Sequence, residues 1–250
     1  MLKLNGVEIC PTIFSDNTSQ IWKIHESLFE TASEIEWIFG GDQEVFHLFQ
    51  LAILCRSKGV KSLNLLTKYL PYARQDKPIS NESTFALHVF SKIINQINFD
   101  SIFCYDPHSD IAKKLINNLF CIDVGSHVYR FFTENNYDVV LYPDLGAKTR
   151  YSELYGLPYI YADKKRDQLT GNIEGLDVIG DCDGKTVLIV DDICDGGGTF
   201  IIAAKELYDK GAIDVGLFVS HGIFSKGKEV LYNAGINKVF SLNNLGDKNA

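Results

Sequence analysis

The chain has 250 residues, 46% hydrophobic and 22% charged, a globular composition long enough for one large domain or two of ordinary size. A formal net charge of −8 with no lysine- or arginine-rich block argues against a nucleic-acid or membrane surface, so any bound phosphate must be held by local donors. Six cysteines at 10, 55, 104, 121, 182 and 194 show no paired CxxC spacing, and the start MLKLNGVEIC has no signal-peptide shape. No apolar run approaches the roughly 20 residues of a membrane helix. The expectation is a reduced, soluble, cytoplasmic protein.

From about Leu4 to Glu30 the pattern is ambiguous, strand-like around Gln20 to Ile24 and without clear helix caps. Apolar strands then alternate with amphipathic helices. EIEWIFG is followed by a helix from Asp42 to about Ser57, then SLNLLTKYL, a loop, a helix from Ser83 to about Asn95, and SIFCYD. DVVLY, a helix after Asp144, PYIYA, TVLIVDD, a helix from Thr199, VGLFVSH, a helix near Lys226 to Tyr232 and KVFSL repeat the pattern. This βαβ order predicts an α/β protein with doubly wound, mainly parallel sheets. Thr84-Phe85 and Thr199-Phe200 each open a helix leading to a strand and a histidine, His108 and His221. The halves therefore read as copies of one fold, with a boundary near Gly125 and domains at 1–125 and 126–250.

The most informative stretch is Val190-Asp191-Asp192-Ile193-Cys194-Asp195-Gly196-Gly197-Gly198-Thr199-Phe200, at the carboxyl end of a β-branched strand. Ligands of open α/β sheets bind there. Three glycines let backbone N–H groups close around an anion at the positive end of the next helix, and Thr199 adds a hydroxyl. Asp191 and Asp192 would repel a phosphate unless they face sugar hydroxyls or magnesium. The stretch reads as a site for a phosphorylated ribose, against the plainer reading of a tight turn with a solvated acidic cap. A second loop, Lys68 to Pro78, sets two aromatic rings beside a cation, an amide and an acid. Tyr72 can stack on a base, Arg74 can take a phosphate through its planar fork, and Gln75 or Asp76 can read an amino group or a ribose hydroxyl. Composition alone favours a salt-bridged surface turn.

The glycine-rich stretch resembles the phosphoribosyl-diphosphate motif of type I phosphoribosyltransferases and of ribose-phosphate diphosphokinases, the PRPP synthetases. The Tyr72–Asp76 loop resembles the PYARQDR signature of the synthetases, part of their ATP site, and simple transferases have no such loop. Asp106-Pro107-His108 resembles the synthetases' Asp-x-His turn, Pro143-Asp144-Leu145-Gly146 their SPDxGG segment, and Asp163-Lys164-Lys165-Arg166 their catalytic loop. His221, in SHGIFS, matches their THxIFS element. Phe14-Ser15-Asp16 matches only the start of their FxDGE turn, Asn17 and Thr18 standing where glycine and glutamate are expected.

The resemblance implies a magnesium-dependent enzyme and a homo-oligomer. Its reaction moves the β,γ-diphosphate of ATP to the anomeric hydroxyl of ribose 5-phosphate and releases AMP. The residues implied are Lys164, Arg166, Asp191 and Asp192 for catalysis and Tyr72, Arg74, Gln75, Asp76, His108 and Asp144 for ATP, with His108 and Asp144 also toward the metal. Asp191, Asp192, Asp195, Gly196, Gly197, Gly198 and Thr199 are implied for the ribose phosphate. Gly196 stands where the family's loop usually carries threonine, which removes a hydroxyl donor and opens space for a larger acceptor. ADP-ribose is such an acceptor, used for NAD+ rebuilding by PRPP-synthetase-like proteins, phage-encoded ones among them, that resemble this short form. A non-catalytic regulatory homologue is the third reading.

Overall fold

The computed structural model describes residues 1–166 and 173–246, and the side chains at 153–155, 164–166 and 173–174 are outside that description. The chain divides into two compact units, Met1–Ile122 and Asp123–Ala250. Each is a mixed α/β unit built on a mainly parallel six-stranded sheet.

The first unit contains β1 (Leu2–Leu4), β2 (Val7–Ile9), the ribbon β3 (Thr12–Ile13) and β4 (Ser19–Gln20), β5 (Ala32–Trp37), α1 (Gln43–Ser57) and β6 (Ser62–Thr67). α2 (Ala86–Ile97), β7 (Ser101–Tyr105), α3 (Ile111–Leu115) and β8 (Leu119–Ile122) complete it. The sheet order is β2-β1-β5-β6-β7-β8. The parallel strands β5 to β8 follow one another in chain order, so every crossover steps in the same direction. One face of the sheet takes the core: Ile35, Trp37, Leu63, Leu65, Ile102 and Cys104 pack on Leu48 and Leu51 of α1 and Leu87, Phe90 and Ile94 of α2. Glu36, Asn64 and Phe103, between them in sequence, are half-buried, and Phe120 of β8 is 53% exposed. β1 and β2, not foreseen in the ambiguous opening segment, form a hairpin with Leu4 opposite Val7. Its two-residue turn, Asn5-Gly6, takes positive φ at both positions (48° and 81°), the geometry that favours this dipeptide.

The second unit contains α4 (Gly125–Glu134), β9 (Val139–Tyr142), α5 (Leu145–Tyr155), β10 (Tyr159–Arg166), β11 (Ile173–Ile179) and β12 (Thr186–Cys194). α6 (Gly198–Asp209), β13 (Asp214–Gly222), α7 (Glu229–Tyr232) and β14 (Ile236–Asn244) follow. Its order is β11-β10-β9-β12-β13-β14, so the winding reverses between β9 and β12. Alternate residues of one strand enter opposite cores. Leu141, Val187, Ile189 and Leu217 pack with Phe200, Ala203 and Leu207 of α6, while Val140, Tyr142, Leu188, Val190 and Phe218 pack with Val128 of α4 and Ala147 and Tyr151 of α5. Burying a side chain such as Phe200 or Leu207 contributes about 1.5–3 kcal/mol.

Two strands run further than their apolar runs predict. β12 continues through Asp191 to Cys194 because β13 pairs with it that far, Asp191 opposite Val219 and Cys194 opposite Gly222. Asp163 to Arg166 extend β10 in an antiparallel pairing with β11, Lys164 opposite Leu176 and Arg166 opposite Ile173. No helix among the described residues is long and apolar enough to cross a membrane.

Candidate active site

The reversal between β9 and β12 opens a crevice at their carboxyl ends, the place where open α/β sheets take ligands. Two strand-to-helix turns face it, β9 into α5 and β12 into α6. Asp144 ends the first in an extended conformation, and its Oδ1 accepts from the Ala147 N–H at 2.8 Å, capping α5. A Cβ on Gly146 would lie 3.1 Å from that oxygen, so glycine keeps the cap clear.

In the second turn Gly197 is the residue before α6, with φ +78°. A Cβ there would come within 2.9 Å of Leu231 Cδ2, so both the conformation and the space require glycine. Gly198 faces open space, with nothing within 4 Å of its Cβ position. The N–H groups of the first helical turn have no intrahelical acceptors and, with the helix dipole, form a cradle for an anion.

Charge in the crevice is arranged around Asp191 and Asp192. Asp192 is 5% exposed, and Arg150 of α5 pairs with its Oδ2 at 3.1 Å. Arg150 Nη1 also reaches the Tyr151 hydroxyl at 3.4 Å. Burial works against the guanidinium's charge, but Tyr151 and Asp192 outweigh it and hold the proton more tightly than usual. Half-buried Asp191 accepts from the Asp192 N–H at 2.9 Å. Burial, then the Asp192 charge, pushes the Asp191 carboxyl well above the ordinary carboxylate range. The strand geometry therefore brings Asp144, Asp191, Asp192 and Arg150 to one crevice.

Asp195 Oδ1 accepts from Ser225 Oγ at 2.6 Å. His221, at the spacing that suggested a counterpart of His108, lies inside β13 at 1% exposure, with its Nδ1 3.3 Å from Asn243 Nδ2. The backbones of Lys164 and Arg166 sit on β10, beside β9; their side chains lie outside the described residues.

In the first unit the candidate residues occupy the turns after the neighbouring strands β6 and β7. Tyr72 has φ +63°, a left-handed conformation uncommon for a side-chain-bearing residue. Its ring packs 5.1 Å from Phe90 and 6.1 Å from Phe39, and its hydroxyl donates to Asp42 Oδ1 at 2.5 Å. Burial, then Asp42, pushes that phenol up to about 12. The Gln75 N–H donates to Tyr72 O at 2.9 Å and the Leu87 N–H to Gln75 O at 3.2 Å, tying the loop to α2. Arg74 and Gln75 are exposed and Asp76 is half-buried. A cavity of about 310 Å³, lined by Asp42, Val45, Tyr72, Thr84, Phe90 and Ile93 among others, adjoins the loop. After β7, Asp106 is 9% exposed and also left-handed, φ +36°, and it turns the chain toward half-buried His108. Strained side-chain residues of this kind concentrate at functional turns.

Comparison with known proteins places this geometry. A ribose-phosphate pyrophosphokinase of Thermococcus kodakarensis is 30% identical over 191 residues, an alignment covering 74% of this chain and 68% of that protein. The chain belongs to the ribose-phosphate pyrophosphokinase family. Residues 157–249 match the phosphoribosyl synthetase-associated domain. A second family member, from Agrobacterium fabrum, is 29% identical over 191 residues, 72% of this chain and 61% of its own length. The chain thus spans about three fifths of that pyrophosphokinase. The phosphoribosylpyrophosphate synthetase structure from Mycobacterium smegmatis superposes with a TM-score of 0.80 at 21% identity, covering 94% of this chain and 79% of that one, and so shares the fold.

For this member of the pyrophosphokinase family, reading the sequence placed Asp144, Asp191 and Asp192 in the crevice but gave no role to Arg150. The signal was present: Arg150 lies six residues after the Asp144 cap. It could be interpreted only once α5 was known to pack against β12. Lys226, which lies against Gly196, was likewise given no part.

Proposed function

We propose that the chain transfers the β,γ-diphosphate of ATP to the anomeric hydroxyl of a 5-phosphorylated ribose and releases AMP. The observation that carries this reading is the glycine cradle at the strand reversal with Asp191 and Asp192 beside it, an anion site next to acceptors for sugar hydroxyls. The 5-phosphate takes the N–H groups at the start of α6 and the Thr199 hydroxyl, within the loop Asp195, Gly196, Gly197, Gly198 and Thr199. Asp191 and Asp192 accept from ribose hydroxyls and orient the anomeric oxygen. Arg150 pairs with Asp192 and holds it in place. Burial and the Asp192 charge raise the proton affinity of Asp191, and donation from a ribose hydroxyl would offset them.

The anomeric oxygen attacks the β-phosphorus, the bond from that phosphorus to the α-phosphate oxygen breaks, and AMP leaves with the electron pair. The hydroxyl proton passes to solvent; no dedicated general base is assigned. Lys164 and Arg166 act as the cations that offset charge on the transferring group. Arg74, Gln75 and Asp76 contact ATP, and Tyr72 presents the wall of an apolar recess suited to a planar base. His108 in the first unit and Asp144 in the second are, each within its own unit, the residues that would hold magnesium. Among the described residues no three carboxylate, imidazole or thiol groups gather into a metal cage. A carboxylate or an imidazole held water, completed by substrate phosphates, fits the way magnesium is usually bound. When bound, magnesium would supply positive charge to offset that of the phosphates.

A second acceptor, ADP-ribose, is favoured by one observation: nothing lies within 4 Å of the Cβ position of Gly198, which leaves room for a phosphate that continues into another group, although the space expected beside Gly196 is taken by the Lys226 methylenes. Incubation of the protein with magnesium, ATP and either acceptor, with products identified by mass, tests both readings. AMP together with a sugar 1-diphosphate is expected. ADP in place of AMP would mean a monophosphate kinase, and no nucleotide product would mean a regulatory homologue.

A further inference from the structure

The segment after β13 runs beside the end of β12 and is fixed to the phosphate loop by its main chain. The Ile223 and Phe224 N–H groups donate to Cys194 O at 2.8 and 3.1 Å, and the Ser225 N–H donates to Asp195 O at 3.2 Å. Ser225 Oγ adds the bond to Asp195 Oδ1, and the Gly227 N–H closes a turn onto Phe224 O at 2.8 Å. Phe224 itself is left-handed, φ +48°. This strain and these bonds set the backbone of Lys226 next to Gly196.

The Lys226 side chain then lies over that glycine. A Cβ on Gly196 would stand 3.5 Å from Lys226 Cε, 3.6 Å from Cδ and 3.8 Å from Cγ, ordinary contact distances. Alanine would fit there. A branched hydroxyl-bearing side chain would add further atoms in the corner the lysine methylenes occupy. The bare glycine and the lysine are thus two parts of one arrangement, and the ammonium is one bond past the closest methylene. Lys226 is exposed and, among the described residues, makes no ion pair or hydrogen bond. Nearby Lys228 differs, with its ammonium 4.8 Å above the Phe224 ring.

We propose that Lys226 is an acceptor-binding residue whose ammonium contacts the phosphate of the sugar, standing in for a side-chain hydroxyl at position 196. The inference rests on the reading of the glycine cradle as the acceptor's phosphate site. A hydroxyl donates one short hydrogen bond, whereas an ammonium on a flexible stem carries three donors and a full charge. It therefore reaches a terminal phosphate and, equally, a second phosphoryl group beyond the first. The chemical class selected is a ribose 5-phosphate, esterified or not, and the benefit is larger where two phosphoryl groups lie within reach.

The test is direct titration of ribose 5-phosphate and of ADP-ribose into the full chain, as wild type, K226Q, K226R and K205Q. Lys226→Gln is expected to weaken at least one acceptor about tenfold or more, the loss of a charge-assisted hydrogen bond. Lys226→Arg restores most of that affinity. Lys205→Gln, which removes an exposed charge elsewhere on α6, changes neither. Wild-type affinity for both acceptors in K226Q overturns the proposal, as does failure of the wild type to bind either one. AMP release by the wild type is measured separately: its absence would remove the proposed reaction, while the titration still decides the role of Lys226.

Discussion

The two units bury their sheets differently. In the first, parallel strands follow in chain order and one sheet face carries the core; in the second, the order reverses at β9 and β12 and both faces are buried. The reversal makes two turns diverge around a crevice, where Arg150 pairs with Asp192 and Asp191 is held against its ordinary ionisation. The first unit has no reversal among its parallel strands. Its loops are instead shaped by left-handed Tyr72 and Asp106 and by the hydroxyl bond from Tyr72 to Asp42. Electrostatics organises one set of turns, while packing and backbone strain organise the other.

Removing the cation from the crevice is the strongest way to break this contrast. Arg150→Ala removes the guanidinium 3.1 Å from the Asp192 carboxylate, 6% exposed in its side chain, and is expected to cost about 3 kcal/mol in urea denaturation. Asp192→Asn in the same protein should recover part of the loss, since the two residues act as a pair. A loss below about 1 kcal/mol would show that the crevice is held by packing, as in the first unit.

Asp191 gives an effect of opposite sign. Its folded pKa is raised, so its contribution is fully present below the unfolded value of about 3.9 and is lost as pH rises through the folded value. Asp191→Asn removes that penalty and keeps an oxygen for the Asp192 N–H. The melting temperature at neutral pH should rise by about 2–4 °C for each kcal/mol relieved, and the gain should vanish near pH 4. A melting temperature unchanged at both pH values would mean that Asp191 is not strained by its surroundings. The smallest effect is expected in the first unit. Tyr72→Phe keeps the ring against Phe90 and loses only the bond to Asp42, for about 1 kcal/mol. A cost as large as that of Arg150→Ala would give the two units the same electrostatic footing.

Much of the framework was legible because its signals are local. The runs at β5 to β7, β9 and β12 to β14 are apolar and β-branched, and the turns after them carry glycine, proline and aspartate. What the sequence hid depends on contacts between distant segments. Asp191 to Cys194 are strand because β13 pairs with them, and no apolar pattern marks that pairing. The β10–β11 pairing has a similarly polar end. His108 and His221 have similar spacings from Thr84 and Thr199, but the first follows its strand and the second is within it, so similar spacing did not give equal position. The Asn5-Gly6 turn was a readable hairpin signal passed over because the strands it joins are only three residues long.

The bonds between residues 223–225 and 194–195 bear on how such a loop can change. Three of the four are donated by main-chain amides, which do not depend on the side chain that follows at position 226. The charge beside the cradle can therefore be exchanged by a single substitution while the loop keeps its course and the fold keeps its stability. On the proposed role of Lys226, acceptor preference would lie one residue beyond a scaffold that the peptide backbone itself maintains.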